Sequence, residues 1–176
     1  MRRLLRVYAL VAVTLLGLPL AASAQTALAD DDRAGLISAG ALVGAVLDTP
    51  DDWLLFGADA RVQIAHSLEL EPRFTYQPLS GGHVVQLDAN VLKNFDLARP
   101  GRFRPFVGVG GTLTSYSPDR GNGDTKVGIN LISGTRIALS SSSGYEPFVT
   151  AQYSIVRDQF NTFSLVVGAS FRLRNR

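Results

Sequence analysis

From Gly35 onward, apolar residues recur at every second position in runs of about a dozen, each bounded by Gly, Pro, Asp, Asn or Ser. This is the signature of strands joined by turns. Eight such runs are present, at about 35–47, 53–65, 68–77, 83–95, 103–116, 126–139, 145–156 and 162–173, and no convincing helix remains beyond the N-terminal segment. The third run shows the alternation most plainly. Leu68, Leu70, Pro72, Phe74 and Tyr76 take one face, and Glu69, Glu71, Arg73, Thr75 and Gln77 take the other. In the fourth, Val85, Leu87, Ala89 and Val91 oppose Gln86, Asp88 and Asn90; the sixth and eighth repeat the pattern. The runs exceed the ~5–6 residues of an ordinary strand and suit a tilted membrane crossing, which takes about 9–11. The expected fold is all-β, an eight-stranded antiparallel up-and-down transmembrane barrel.

Charge sharpens the expectation of which face is enclosed. The polar faces carry Asp59, Glu69, Glu71, Asp88 and Glu146 against Arg61, Arg73, Arg104, Arg136 and Arg172, with Arg104 and Arg172 near the rim. The chain has two lysines, Lys93 and Lys126, both near strand ends, whereas a solvated face is usually rich in Lys and Glu. Paired carboxylates and guanidiniums suit a closed lumen, because a buried charge is tolerable only when paired and hydrogen-bonded, and the arginine fork does this best. Asp59, Arg61, Glu69, Glu71, Arg73, Asp88, Arg136 and Glu146 are therefore expected to form a lumen charge network, with Arg61 and Arg73 as partners for Glu69 and Glu71. Aromatics are expected in two interfacial belts. Phe95, Phe103, Tyr145 and Phe171 fall at one level, and Trp53, Phe56, Phe74, Tyr76, Tyr116, Phe160 and Phe163 near the other.

Composition agrees with a barrel and removes several chemistries. Of the 176 residues, 46% are hydrophobic and 18% charged, the latter below the roughly 25% of a soluble domain. Cysteine is absent, which excludes disulfides, thiolate metal sites and thiol nucleophiles. Arg2, Arg3 and Arg6, the uncharged run from Val7 to Leu18, Pro19 and then Ala22-Ser23-Ala24 read as a secretory signal over 1–24. A solvated leader with Asp30, Asp31 and Asp32 follows over 25–34, and the barrel domain occupies 35–176. Cleavage removes three of the 17 Lys and Arg and none of the 15 Asp and Glu, turning the formal charge of +2 into −1. The basic isoelectric point thus belongs largely to the signal and gives no argument for a nucleic-acid partner.

The segment Arg104-Pro105-Phe106-Val107-Gly108-Val109-Gly110, the pair Glu146-Pro147-Phe148-Val149 and Gln152-Tyr153-Ser154, and the closing run from Val166 to Leu173 resemble the strands of small outer-membrane β-barrel proteins of Gram-negative bacteria, the OmpA-like superfamily. The resemblance spans essentially the whole chain after the signal. It implies an outer-membrane location, both termini in the periplasm, insertion by the outer-membrane assembly machinery, and outer-membrane lipid as surroundings of a monomer. It says little about activity.

Candidate chemistry is sparse. His66 precedes Ser67 in a tight turn and His83 follows Gly81-Gly82; neither resembles the H-x-S-N motif of lipid A deacylases. Glu69 and Glu71 share a face but have arginine partners at hand. The loop Asp119-Arg120-Gly121-Asn122-Gly123-Asp124 lacks EF-hand spacing and its terminal bidentate glutamate. The expectation is a non-enzyme without cofactor or metal, with a lumen filled by its own side chains, too narrow for a diffusion pore and serving structure or interaction. Two rivals remain open: a soluble lipocalin-like periplasmic carrier with its apolar face turned inward, and a lipid A-modifying outer-membrane enzyme.

Overall fold

In the computed structural model the described residues are 35–47, 53–95, 102–139, 144–157 and 161–172. The signal and leader expected over 1–34, together with Phe160 and Leu173, lie outside them. Eight strands form: β1 Gly35–Val46, β2 Leu54–Ala65, β3 Leu68–Leu79, β4 Gly82–Asn94, β5 Phe103–Pro118, β6 Asp124–Ile137, β7 Tyr145–Val156 and β8 Thr162–Arg172. Each pairs antiparallel with its sequence neighbour, and β1 closes the ring on β8, with Ala41 opposite Ala169. Closure leaves no unpaired sheet edge, which is the condition for placing strands in hydrocarbon. The β3–β4 connection is tighter than the alternation suggests. Pairing runs on through Pro78–His83 to Leu79–Gly82, leaving Ser80 and Gly81 as a two-residue turn.

The apolar parity points out of the barrel. Val43, Phe74, Leu87, Val109, Ile129 and Val167 are all exposed on the outer wall. A lipocalin-like carrier would turn these side chains inward, so the barrel has the opposite sense. A fluorophore at Leu87→Cys in reconstituted vesicles should accordingly be strongly quenched by brominated acyl chains, and one at Gln86→Cys only weakly, since Leu87 is 51% exposed and Gln86 Nε2 donates to lumen Asp88. Stronger quenching at Gln86 would invert the wall. Tyr116 departs from the belt expected for it: it shares the inward parity of buried Thr112 and Thr114, because the period-two backbone of β5 continues unbroken to Pro118.

The lumen is less uniformly polar than its charges suggest. Leu42, Val46, Leu55, Phe148 and Val166 form one buried apolar cluster, and Leu92, Phe106 and Ile132 form another. The phenyl rings of these two clusters each lie over a glycine of the next strand. Phe106 is paired with Gly134 and Phe148 with Gly168, and a Cβ on either glycine would sit 2.5 or 2.4 Å from the ring's Cζ. Only glycine leaves the ring room to lie flat against the wall.

Candidate functional site

The candidate site is the lumen itself, which is organised in three tiers between the mouth holding the described termini, called here the terminal mouth, and the opposite, distal mouth.

The terminal tier holds two arginines, each seated on one of the phenyl rings. Arg136 grips Glu69 with both terminal nitrogens, Nη1 to Oε1 at 3.1 Å and Nη2 to Oε2 at 2.6 Å, and Nη1 also donates to Asn94 Oδ1 at 2.8 Å. Its guanidinium carbon lies 4.7 Å from the Phe106 centroid. Arg61 donates from Nη1 to Glu146 Oε2 at 3.3 Å and from Nη2 to Ser170 Oγ at 2.5 Å, places Nε 3.4 Å from Asp59 Oδ2, and lies 5.2 Å from the Phe148 centroid. Two guanidinium–phenyl–glycine stacks result, combining charge-assisted bonds with cation–π contact. Glu69 therefore pairs with Arg136 rather than with Arg61 or Arg73, the partners expected from the sequence, while Glu71 does pair with Arg73. Residues two apart on one strand share a face but sit at different heights, and at the height of Glu69 the guanidinium that reaches across the lumen comes from β6. Arg104 and Arg172 are about half exposed at the rim, 3.9 and 3.6 Å from Glu146.

The middle tier is a closed circuit of side chains across β3, β7, β6 and β4. Arg73 Nη1 donates to Gln152 Oε1 (3.1 Å), Gln152 Nε2 to Ser154 Oγ (3.2 Å), Ser154 Oγ to Asn130 Oδ1 (2.8 Å), Asn130 Nδ2 to Asn90 Oδ1 (3.2 Å) and Asn90 Nδ2 to Glu71 Oε1 (3.5 Å). Glu71 Oε1 closes the loop 2.7 Å from Arg73 Nη2. The five hydrogen bonds all run from the Arg73 guanidinium toward the Glu71 carboxylate, so they polarise one another, and the ion pair joins the two ends of the chain. Asp88 is tied in through Gln152 Nε2 (3.1 Å) and Gln86 Nε2 (2.9 Å). Alternation alone marks Asn90, Asn130, Gln152 and Ser154 as inward, but it carries no sign that they join into one circuit. Of the five carboxylates and five arginines on the polar faces, Asp59, Glu69, Glu71 and Asp88 are buried with Arg61, Arg73 and Arg136, while Glu146 lies toward the rim beside Arg104 and Arg172.

Above Arg73 and Gln152 the side chains separate, and a cavity of about 220 Å³ opens at the distal end. The other sequence candidates lie elsewhere. His66 is exposed in the β2–β3 turn, and Ser67 Oγ accepts a hydrogen bond from Lys93 Nζ. His83 packs on the outer wall against Tyr76, 5.4 Å between ring centres, and Tyr76 in turn against Phe56 at 5.9 Å. Asp124 pairs with Lys126 at 2.8 Å beside an exposed loop.

No protein-family model matches the chain, and no curated protein matches it. Solved structures do. The N-terminal β-barrel domain of Pseudomonas aeruginosa OprF superposes with a TM-score of 0.65 at 12% identity, over 80% of this chain and 100% of that one. The chain has the fold of a small outer-membrane β-barrel. Neisserial surface protein A matches this barrel with a TM-score of 0.59 at 15% identity, covering 80% and 96% of the two chains. The outer-membrane enzyme PagL follows with 0.51 at 15% identity, over 77% and 99%. The outer-membrane fold and the exposed apolar wall together make this an integral outer-membrane barrel.

Proposed function

We propose that the barrel acts as a non-conducting, non-catalytic element of the outer membrane that contributes to membrane integrity and makes weak contacts through its distal loops. In this reading it is a monomer, surrounded by outer-membrane lipid and inserted by the assembly machinery, with the terminal mouth toward the periplasm. The observation that carries it is the closed circuit through Arg73, Gln152, Ser154, Asn130, Asn90 and Glu71 lying above the two guanidinium–phenyl stacks. Together they occupy the lumen at two heights, and an ion crossing it would have to break paired, buried charges. A non-catalytic role is supported by the engagement of both neighbouring carboxylates, Glu69 with Arg136 and Glu71 with Arg73, and by the outward position of His83. The test is electrical. Purified protein in planar bilayers is expected to give no discrete conductance steps, and lipid A incubated with it should keep its mass. Regular unitary steps that vanish with the folded protein would overturn the non-conducting role, and a mass change in lipid A would overturn the non-catalytic one.

A further inference from the structure

The rim of the terminal mouth carries more guanidinium than carboxylate. Glu146 alone serves three arginines: Arg61 Nη1 at 3.3 Å from Oε2, Arg104 Nη1 at 3.9 Å and Arg172 Nη2 at 3.6 Å from Oε1. Arg61 is buried and also meets Asp59 and Ser170. Arg104 and Arg172 stand half exposed, at 53% and 51%, and neither side chain makes a hydrogen bond among the described residues. Arg102, exposed two residues before Arg104, adds to the same rim. The positive edge is local, because the chain without its signal has a formal charge of −1. A guanidinium held by one long ionic contact keeps most of its five donors for further oxygens, and carboxylates match its fork.

The register shows which carboxylates of the chain come nearest. Strand β1 enters the wall beside the cluster, where its Ser38 lies opposite Arg172 on one side and Arg61 on the other. The acidic triplet Asp30-Asp31-Asp32, outside the described residues, immediately precedes that strand. Asp32 stands three residues before Gly35, at most about 11 Å of chain. Tethering at such a distance gives an effective concentration in the millimolar range, so exposed ion pairs too weak to hold a free peptide can hold this segment.

We propose that Asp30-Asp31-Asp32 docks across the rim of the terminal mouth with its carboxylates on Arg104 and Arg172, so that the chain itself supplies the counter-charge its rim lacks. The inference holds for a conducting or a non-conducting barrel and does not depend on the proposed function.

The absence of cysteine lets a single spin label at Ala29→Cys report on the segment. Protein purified from outer membranes and reconstituted in phosphatidylcholine vesicles, which carry no net charge, is expected to give an electron spin resonance spectrum dominated by a slowly tumbling component at low salt. That component should shrink about fivefold when Asp30→Asn, Asp31→Asn and Asp32→Asn are combined, the factor for losing two exposed ion pairs. Arg104→Gln with Arg172→Gln, and NaCl at about 0.5 M, should have the same effect, whereas Arg120→Gln in the distal loop should have none. If the rim variant does not fold, the triple asparagine variant, which leaves every strand unchanged, decides the matter. A fast, sharp spectrum in the parent would overturn the docking and leave the rim to an anion from elsewhere. A slow component that survives salt or either set of substitutions would also overturn it, by placing the segment on the lipid surface or on another part of the barrel.

Discussion

Replacing Arg136 with leucine is expected to lower the unfolding free energy of the barrel by about 3–5 kcal/mol, because the change leaves the buried Glu69 carboxylate without its bidentate partner. The same change at Arg120, in the exposed loop between β5 and β6, should stay within about 0.5 kcal/mol of the parent. Urea titration of detergent-folded protein checks the pair through their midpoints. Adding Glu69→Gln to Arg136→Leu should recover part of the loss, since it removes the stranded charge. A double variant weaker than Arg136→Leu alone would show that the pair is not what holds β3 to β6 across the lumen.

Phe148→Ala carries the second large effect, a loss of roughly 3–5 kcal/mol. The ring is 2% exposed, packs in the cluster of Leu42, Val46, Leu55 and Val166, and seats the Arg61 guanidinium. Removing it opens a hole beside Gly168, which has no side chain to fill it. Phe74→Ala deletes an equal volume from the outer wall, where the ring is 43% exposed and lipid replaces the lost contacts, so its urea midpoint should lie well above that of Phe148→Ala. Coincident midpoints would remove the basis for an aromatic seat inside the barrel.

The barrel was legible in the sequence because period-two alternation is a local signal. Leu87 beside Gln86, or Phe74 beside Arg73, declares the two walls without knowledge of any other strand. Charge placement was legible for the same reason, as Asp59, Arg61 and Asp88 have the parity of the lumen. Partner choice was not. Glu69 meets Arg136 across 67 positions of chain, and that meeting depends on strand tilt and stagger around the whole ring. The inward hydrophobics were obscured as well. Leu42, Phe106 and Ile132 sit on faces that also carry glycine and polar residues, and an apolar residue in an alternating strand is naturally assigned to lipid. The signal that could have found the phenyl rings is the pairing of Pro-Phe-Val in β5 and β7 with a glycine in the following strand, visible only once the register is known.

The buried charges also constrain how the chain reaches its membrane. Strand β3 alone carries Glu69, Glu71 and Arg73, and a solitary strand crossing hydrocarbon with such groups unpaired would meet about 2–4 kcal/mol for each arginine at mid-depth. Glu71 and Arg73 can pair within the strand, but the partner of Glu69 comes from β6 and the remaining contacts of Glu71 and Arg73 from β4 and β7, so the penalty is fully relieved only after distant parts of the sequence have met. Stepwise threading of single strands is thus uphill until late. A charged interior of this kind favours a route in which most of the sheet is paired before it sinks into hydrocarbon, with β1 meeting β8 to complete the ring.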